Sequence, residues 1–280
     1  MIRFPAVAFL VSLAFCLALP PSAAMAACLG AVSGGPRPPG LQQAAFRPAA
    51  IPPAAARPVA APAGNVRITF IGHATFLLET PRGVTAATDY NDYLRPPLTP
   101  DVATMNHAHG THYTDAPDPG IRHVLRGWTF QGKPARHNLQ VGDLRVRNVP
   151  TNIRGYGSET EYDGNSIFVF DAADLCIAHL GHLHHKLTPG HLADLGRIDV
   201  LFVPVDGGFT LNIVEMREVI GQISAPLVIP MHYFSESTLE RFLSRLRDSH
   251  DIRLNDTSSI LVSRGTLPKK PAVIVLPGPH

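Results

Sequence analysis

Histidine in this chain collects where short apolar runs end. The stretch "TMNHAHGTHYTD" carries His107, His109 and His112 straight after an apolar segment, in H-x-H-x-x-H spacing. Further on, "LCIAHLGHLHHKL" runs into His179, His182, His184 and His185, "IDVLFVPVDGGFT" into Asp206, and "APLVIPMHYFS" into His232. Strands fix geometry while the loops at their ends stay accessible, so a fold that brings these ends to one edge gathers several imidazoles in one place. Neutral imidazole is the commonest metal ligand at physiological pH, and the tight triple therefore reads as part of a metal site. Thr111, just before His112, stands out, because a hydroxyl donates a hydrogen bond but is no base at neutral pH.

The rest of the pattern agrees with a layered α/β protein. Short apolar runs predict strands at 66–71, 75–79, 84–88, 102–105, 123–125, 144–149, 166–170, 175–178, 200–203 and 227–229. Helical periodicity comes late, over 212–223 and 237–247, the second capped by Ser237, with a shorter helix at 189–195 capped by Thr188. Strands first and helices later imply a mixed α/β sandwich. The 280 residues, 45% hydrophobic, suffice for a large core, and a formal net charge of +2 gives no reason to expect nucleic acid as a partner.

Two segments precede the folded part. Residues 1–26 have Arg3, an apolar run and Ala24-Met25-Ala26, the order of a secretory signal peptide, and imply a periplasmic or secreted protein. Residues 27–64 are dominated by Pro, Ala and Gly and read as a disordered linker, so the domain is expected over 65–280. Cys28 would be the acylated residue of a lipoprotein, the one route to a membrane, although Met25 stands where such signals usually have Leu. With Cys28 in the linker and Cys176 in an apolar strand, no structural disulfide is expected.

The stretches "ITFIGHATFLLET", "NHAHGTH", "IAHLGHLHH", "VLFVPVDGGFT" and "LVIPMHY", in this order over residues 66–235, resemble the metallo-β-lactamase superfamily, in its branch of small metal-dependent hydrolases related to the ascorbate-phosphate lactonases. The resemblance implies an αββα sandwich with a metal site at the rim between two sheets. It makes His107, His109 and His112 the histidines of the family's H-x-H-x-D-H signature, His232 the late ligand, and His182 the counterpart of a carboxylate that bridges two metals. Thr111 replaces the signature aspartate, and Asn152 replaces a mid-chain histidine. His73, in "IGHAT", is implied as a loop brace and not as a ligand.

These replacements have chemical consequences. A carboxylate bridges two cations with two oxygens and a charge, whereas imidazole offers one lone pair to one metal. One zinc, or another divalent transition metal, held by some of His107, His109, His112, His182 and His232 is the expected cofactor. Asp206 is expected as a water-orienting base or a loop brace, and Thr111 as a donor to water or substrate. The function so implied is hydrolysis of a small-molecule ester, lactone or phosphoester. The alternative is a catalytically silent binding protein of the same fold.

Overall fold

The computed structural model describes Cys28 and residues 60–129, 131–155 and 159–279. The expected signal segment and residues 29–59 of the expected linker lie outside the described residues. In chain order the elements are β1 (Val66–Gly72), β2 (Thr75–Glu79), β3 (Thr85–Ala87), β4 (Val102–Met105), β5 (His123–Arg126), β6 (Asn138–Val141), β7 (Leu144–Arg154), β8 (Thr160–Ala172) and β9 (Leu175–His179). There follow α1 (Pro189–Leu195), β10 (Val200–Pro204), α2 (Ile213–Ile223), β11 (Leu227–Met231), α3 (Glu236–Leu243), β12 (Asp251–Leu254), β13 (Ser259–Val262) and β14 (Ala272–Val275).

Two mixed sheets form, one in the order β13-β1-β2-β3-β4-β5 and one in the order β12-β14-β11-β10-β9-β8-β7-β6. The two-residue period of a strand decides what each buries. In β8, Phe168 and Phe170 point into the inter-sheet core with Ile68, Phe76 and Phe202, while Ile167 and Val169 point to the opposite face. β9 and β10 repeat the alternation, with Ile177 and Phe202 inward and Ala178 and Leu201 outward. Met216 and Val219 of α2 and Phe242 and Leu243 of α3 cover that outward face, so β8 to β11 are buried on both sides. Such strands read as continuous apolar runs. All three helices of the described residues join this layer. The outer side of the six-stranded sheet is packed instead by Tyr90 and Ile121, from the connections before and after β4.

The fold class agrees with the sequence reading, and the differences are local. β6, β12 and β13 are edge strands with exposed or half-buried residues, and β14 is four residues long between prolines, so none carries a strong pattern. α3 starts one turn position earlier than expected, because Ser235 and not Ser237 accepts the Thr238 N–H at 3.2 Å. The domain edge also lies before residue 65: Ala61 is buried and donates its N–H to the Thr80 carbonyl at 3.1 Å.

One expectation is corrected outright. Cys28 and Cys176 form a disulfide, with Cα atoms 5.8 Å apart and a sequence separation of 148. Both sulfurs are buried in the helix-side core, and the Cys28 carbonyl accepts the Arg197 N–H at 2.9 Å. The apolar surroundings of Cys176, taken in the sequence as those of a lone core thiol, are what shield the bond. A sulfur committed in this way carries no acyl thioether. Cross-links over long loops stabilise mainly by restricting the unfolded chain, typically by about 2–4 kcal/mol. Cys28→Ser is therefore expected to lower the urea-unfolding free energy by about that amount. The unreduced, denatured wild type should titrate with no thiol from this pair, and two free thiols would refute the bond.

Candidate metal centre

The site lies where loops leave the strands. The tight turn after β4 delivers His107 to His112, with the His112 N–H bonded to the His109 carbonyl at 2.8 Å. His73 follows β1, His182 follows β9, Asp206 follows β10 and His232 follows β11. The His232 N–H donates to the His73 carbonyl at 2.7 Å, which ties the two sheets together at this edge. Gly181 makes the turn before His182 with φ +60°, and a Cβ there would strike the side chains of Asn165 and Asn106. Only glycine fits so close a passage in that conformation.

Four imidazoles, of His73, His109, His112 and His232, bring ligand-capable nitrogens within 4.8 Å of one another. His112 and His232 are fully buried and their rings stack at 5.1 Å. Behind each stands a carboxylate. Asp89 Oδ2 is 2.6 Å from His112 Nδ1, and Asp206 Oδ1 is 3.0 Å from His232 Nδ1, the latter approach being angled and not in line. A carboxylate on Nδ1 fixes the tautomer and leaves the Nε2 lone pair for a metal. The two Nε2 atoms so prepared are 3.1 Å apart. Two nitrogens on one zinc, at Zn–N distances of about 2.0–2.1 Å, sit about 3.3 Å apart in a tetrahedron, so this pair already has a metal-sharing separation. His73 Nε2 is buried with no hydrogen-bond partner, the position of a donor atom whose acceptor is a cation. An all-nitrogen set of this kind fits a borderline transition metal such as zinc better than calcium or magnesium.

Backbone strain accompanies the site. His73, Asp89 and His232 have φ of 52°, 41° and 55°, the left-handed region that side chains with a Cβ rarely enter. A side chain held there costs up to roughly 1–3 kcal/mol, least for Asp89, and the surrounding packing must offset it.

Electrostatics keep His73, His109, His112 and His182 neutral. Burial, helped by the neighbouring His232 and His109, lowers His73 to about 3. Burial likewise pushes His112 and His182 far below the ordinary histidine value, and lowers His109 with help from His232. Burial raises the Asp89 carboxyl to about 6, against the Asn106 hydrogen bond and the nearby histidines. Burial also works to raise Asp206, but hydrogen bonds from His232, Thr210 and Gly208 prevail and hold it well below the carboxylate range. A metal ligand must be deprotonated, and a desolvated imidazole already is.

The expected site residues fare differently. His109, His112 and His232 come together. His182 stands beside them, its Nε2 3.1 Å from His109 Nε2. His107 does not join and is a correction: its Nδ1 lies 2.7 Å from Glu161 Oε1, and its half-exposed ring packs near Trp128 and Tyr113. The turn that aims His109 and His112 inward sends His107 to the other side of the loop. Thr111, expected to donate to water or substrate, sits behind the His109 ring instead, and Asp206, expected as a water-orienting base or a loop brace, has the surroundings of a brace. The Thr111 hydroxyl is 2.8 Å from His109 Nδ1. Asp206 Oδ2 accepts the N–H groups of Gly208, Phe209 and Thr210, and Oδ1 takes the Thr210 hydroxyl and lies 3.0 Å from His232 Nδ1, so little acceptor capacity remains for a base. Asn152 bonds the Asp163 N–H at 3.0 Å and stays out of the cluster. His73 is the member of the cluster that the sequence reading passed over as a candidate ligand. Its signal was present, a histidine at a strand end like the others, but the family resemblance had cast it as a brace.

The family described as the beta-lactamase superfamily domain matches residues 67–232. A Thermotoga maritima protein, assigned to the Zn-dependent hydrolases of the metallo-β-lactamase superfamily, is 30% identical, with a TM-score of 0.56 over 77% of this chain and 100% of its own. Proteins of Methanosphaerula palustris and Methanoculleus marisnigri, both called metal-dependent hydrolases, are 24% and 27% identical over 72% and 68% of this chain and 99% and 92% of theirs. The chain belongs to the metallo-β-lactamase superfamily.

Proposed function

We propose that this protein is an exported hydrolase that uses one divalent transition metal, zinc by default, to cleave a small-molecule ester, lactone or phosphoester. The carrying observation is the pair of Nε2 atoms of His112 and His232, 3.1 Å apart, each ring held from behind by a carboxylate, with the orphaned His73 Nε2 beside them. A metal held there supplies a Lewis acid that polarises a substrate oxygen and makes water nucleophilic near neutral pH. His112 and His232 are presented by Asp89 and Asp206, and His109 by Thr111. His109 is the exposed member of the set and marks the side open to substrate. Phe209 and Phe234 stand exposed near that opening, their rings 5.6 Å apart and Phe234 5.5 Å from His232, an aromatic rim suited to an apolar substrate group. Single-metal use follows from the carboxylates: Asp89 and Asp206 sit behind imidazoles, so no anion is placed to bridge two cations and offset their repulsion. Export is supported by the N-terminal pattern and by the Cys28–Cys176 disulfide, a bond that persists in oxidising compartments. The silent-binder reading draws on one observation, the spent acceptor capacity of Asp206.

Elemental analysis after dialysis is expected to find one zinc per chain. Two tightly held ions refute the mononuclear reading, and none refutes the metal site. Metal with no turnover of aryl esters, lactones or phosphodiesters leaves the silent binder as the better account.

Alanine variants separate this site from the family signature. His73→Ala and His109→Ala should each weaken zinc affinity at least about tenfold, on the order reported for disturbed metal shells. His107→Ala should keep full occupancy, because that ring serves Glu161; loss of zinc in this variant would place His107 in the site after all.

Acid should destabilise the metal-free protein in a defined window. His73 and His184, near 3 and near 4 when folded, lie below the ordinary value of 6.5, so below that pH the unfolded chain binds protons the folded chain does not. Their contribution is intact above pH 6.5 and is lost progressively as pH falls toward 3. A melting temperature that stays level between pH 7 and pH 4 would show that these rings are not buried as neutral groups.

A further inference from the structure

We infer that His182 is a hydrogen-bond donor to the oxygen of water or substrate in this pocket and not a metal ligand, its tautomer being set from outside by Arg154 through His184. The reaction it serves rests on the hydrolase reading above; the donor assignment itself does not.

The direction of each bond in the chain follows from its outer end. Arg154 offers His184 Nδ1 only donors, the backbone N–H and, at 3.4 Å, the guanidinium Nε. That nitrogen must accept, so a neutral His184 carries its proton on Nε2. His184 Nε2 is 2.6 Å from His182 Nδ1, and its proton obliges that nitrogen to accept in turn. His182 therefore carries its proton on Nε2, which faces His109 Nε2 at 3.1 Å. The last ring closes the sequence, with His109 Nδ1–H donating to the Thr111 hydroxyl at 2.8 Å.

For His182 to ligate a metal through Nε2, the proton would have to move to Nδ1. His184 Nε2 would then have to accept while Nδ1 also accepts, a demand only an imidazolate meets. The neighbourhood opposes protonation of these rings but supplies nothing that would create an anion. The guanidinium of Arg154 is itself anchored, its Nη2 donating to the carbonyls of Gly208, Phe209 and Thr210 at 2.8–3.0 Å, so the outer end of the chain is fixed. His182 also falls outside the set of four whose nitrogens lie within 4.8 Å. When the His109 lone pair is taken by a metal, the buried His182 N–H loses its acceptor and stays aimed into the pocket. A preorganised donor there stabilises negative charge developing on an oxygen.

The test reads tautomers, metal and turnover separately. Imidazole nitrogen shifts of the full-length protein, zinc-free and zinc-loaded, should show both His182 and His184 protonated on Nε2. An Nδ1-protonated His182 overturns the inference without any variant. His182→Leu should retain one zinc per chain, with kcat lowered ~10²–10³-fold and KM little changed, as when an oxyanion donor is removed. His182→Gln, which restores an N–H, should recover part of kcat. Loss of zinc from a folded His182→Leu overturns the inference. If the wild type turns over no ester, lactone or phosphodiester, the hydrolase reading falls, while the nitrogen shifts and zinc content still decide whether His182 is a donor.

Discussion

The site is organised by lone-pair crowding. Imidazoles point nitrogens at one another at the mouth of a buried corner, where each unshared pair repels the next unless a cation or a proton stands between them. Every other feature serves to keep that arrangement: carboxylates behind His112 and His232, a hydroxyl behind His109, backbone turns that forgo relaxed geometry, and burial that keeps protons away. The same crowding explains why no one histidine can be understood alone. Moving one proton on His182 changes what His109 and His184 can accept.

Chemistry at this centre rests on neutral donors where related proteins are expected to use anions. A bridging carboxylate would hold two metals and lower their charge. Imidazole in its place would, on the reading proposed above, leave a single ion undamped and add an N–H to the pocket. The acids nearest the cluster, Asp89 and Asp206, stand behind the His112 and His232 rings, where a carboxylate tunes the basicity of the far nitrogen. Thr111 stands behind a ring too, which answers why a hydroxyl suffices there: His109 needs only an acceptor behind it.

Much of this was legible in the sequence. Strands buried on both faces, such as β8 to β11, produce apolar runs that no loop imitates, and the histidines after them mark the edge where loops converge. Three members of the cluster, His109, His112 and His232, could be named from spacing and resemblance. What could not be read was orientation. His107 and His109 are two residues apart and face different partners because a single turn rotates between them, and no spacing rule reports which way it turns. Glu161, the acid that receives His107, is 54 residues away on another strand. Cys28 sits in a Pro/Ala-rich segment whose composition argues against order, and one covalent bond overrides that argument locally.

The left-handed backbone at His73, Asp89 and His232 limits what drift can do to this centre. Asn, Asp and Gly enter that region at low cost, whereas Val, Ile and Thr do not. A lineage that abandoned the metal would therefore find the cheap exits at these three positions chemically narrow, through small polar residues or glycine. A β-branched apolar plug of the kind that heals an ordinary core cavity is disfavoured at these positions by the main chain itself.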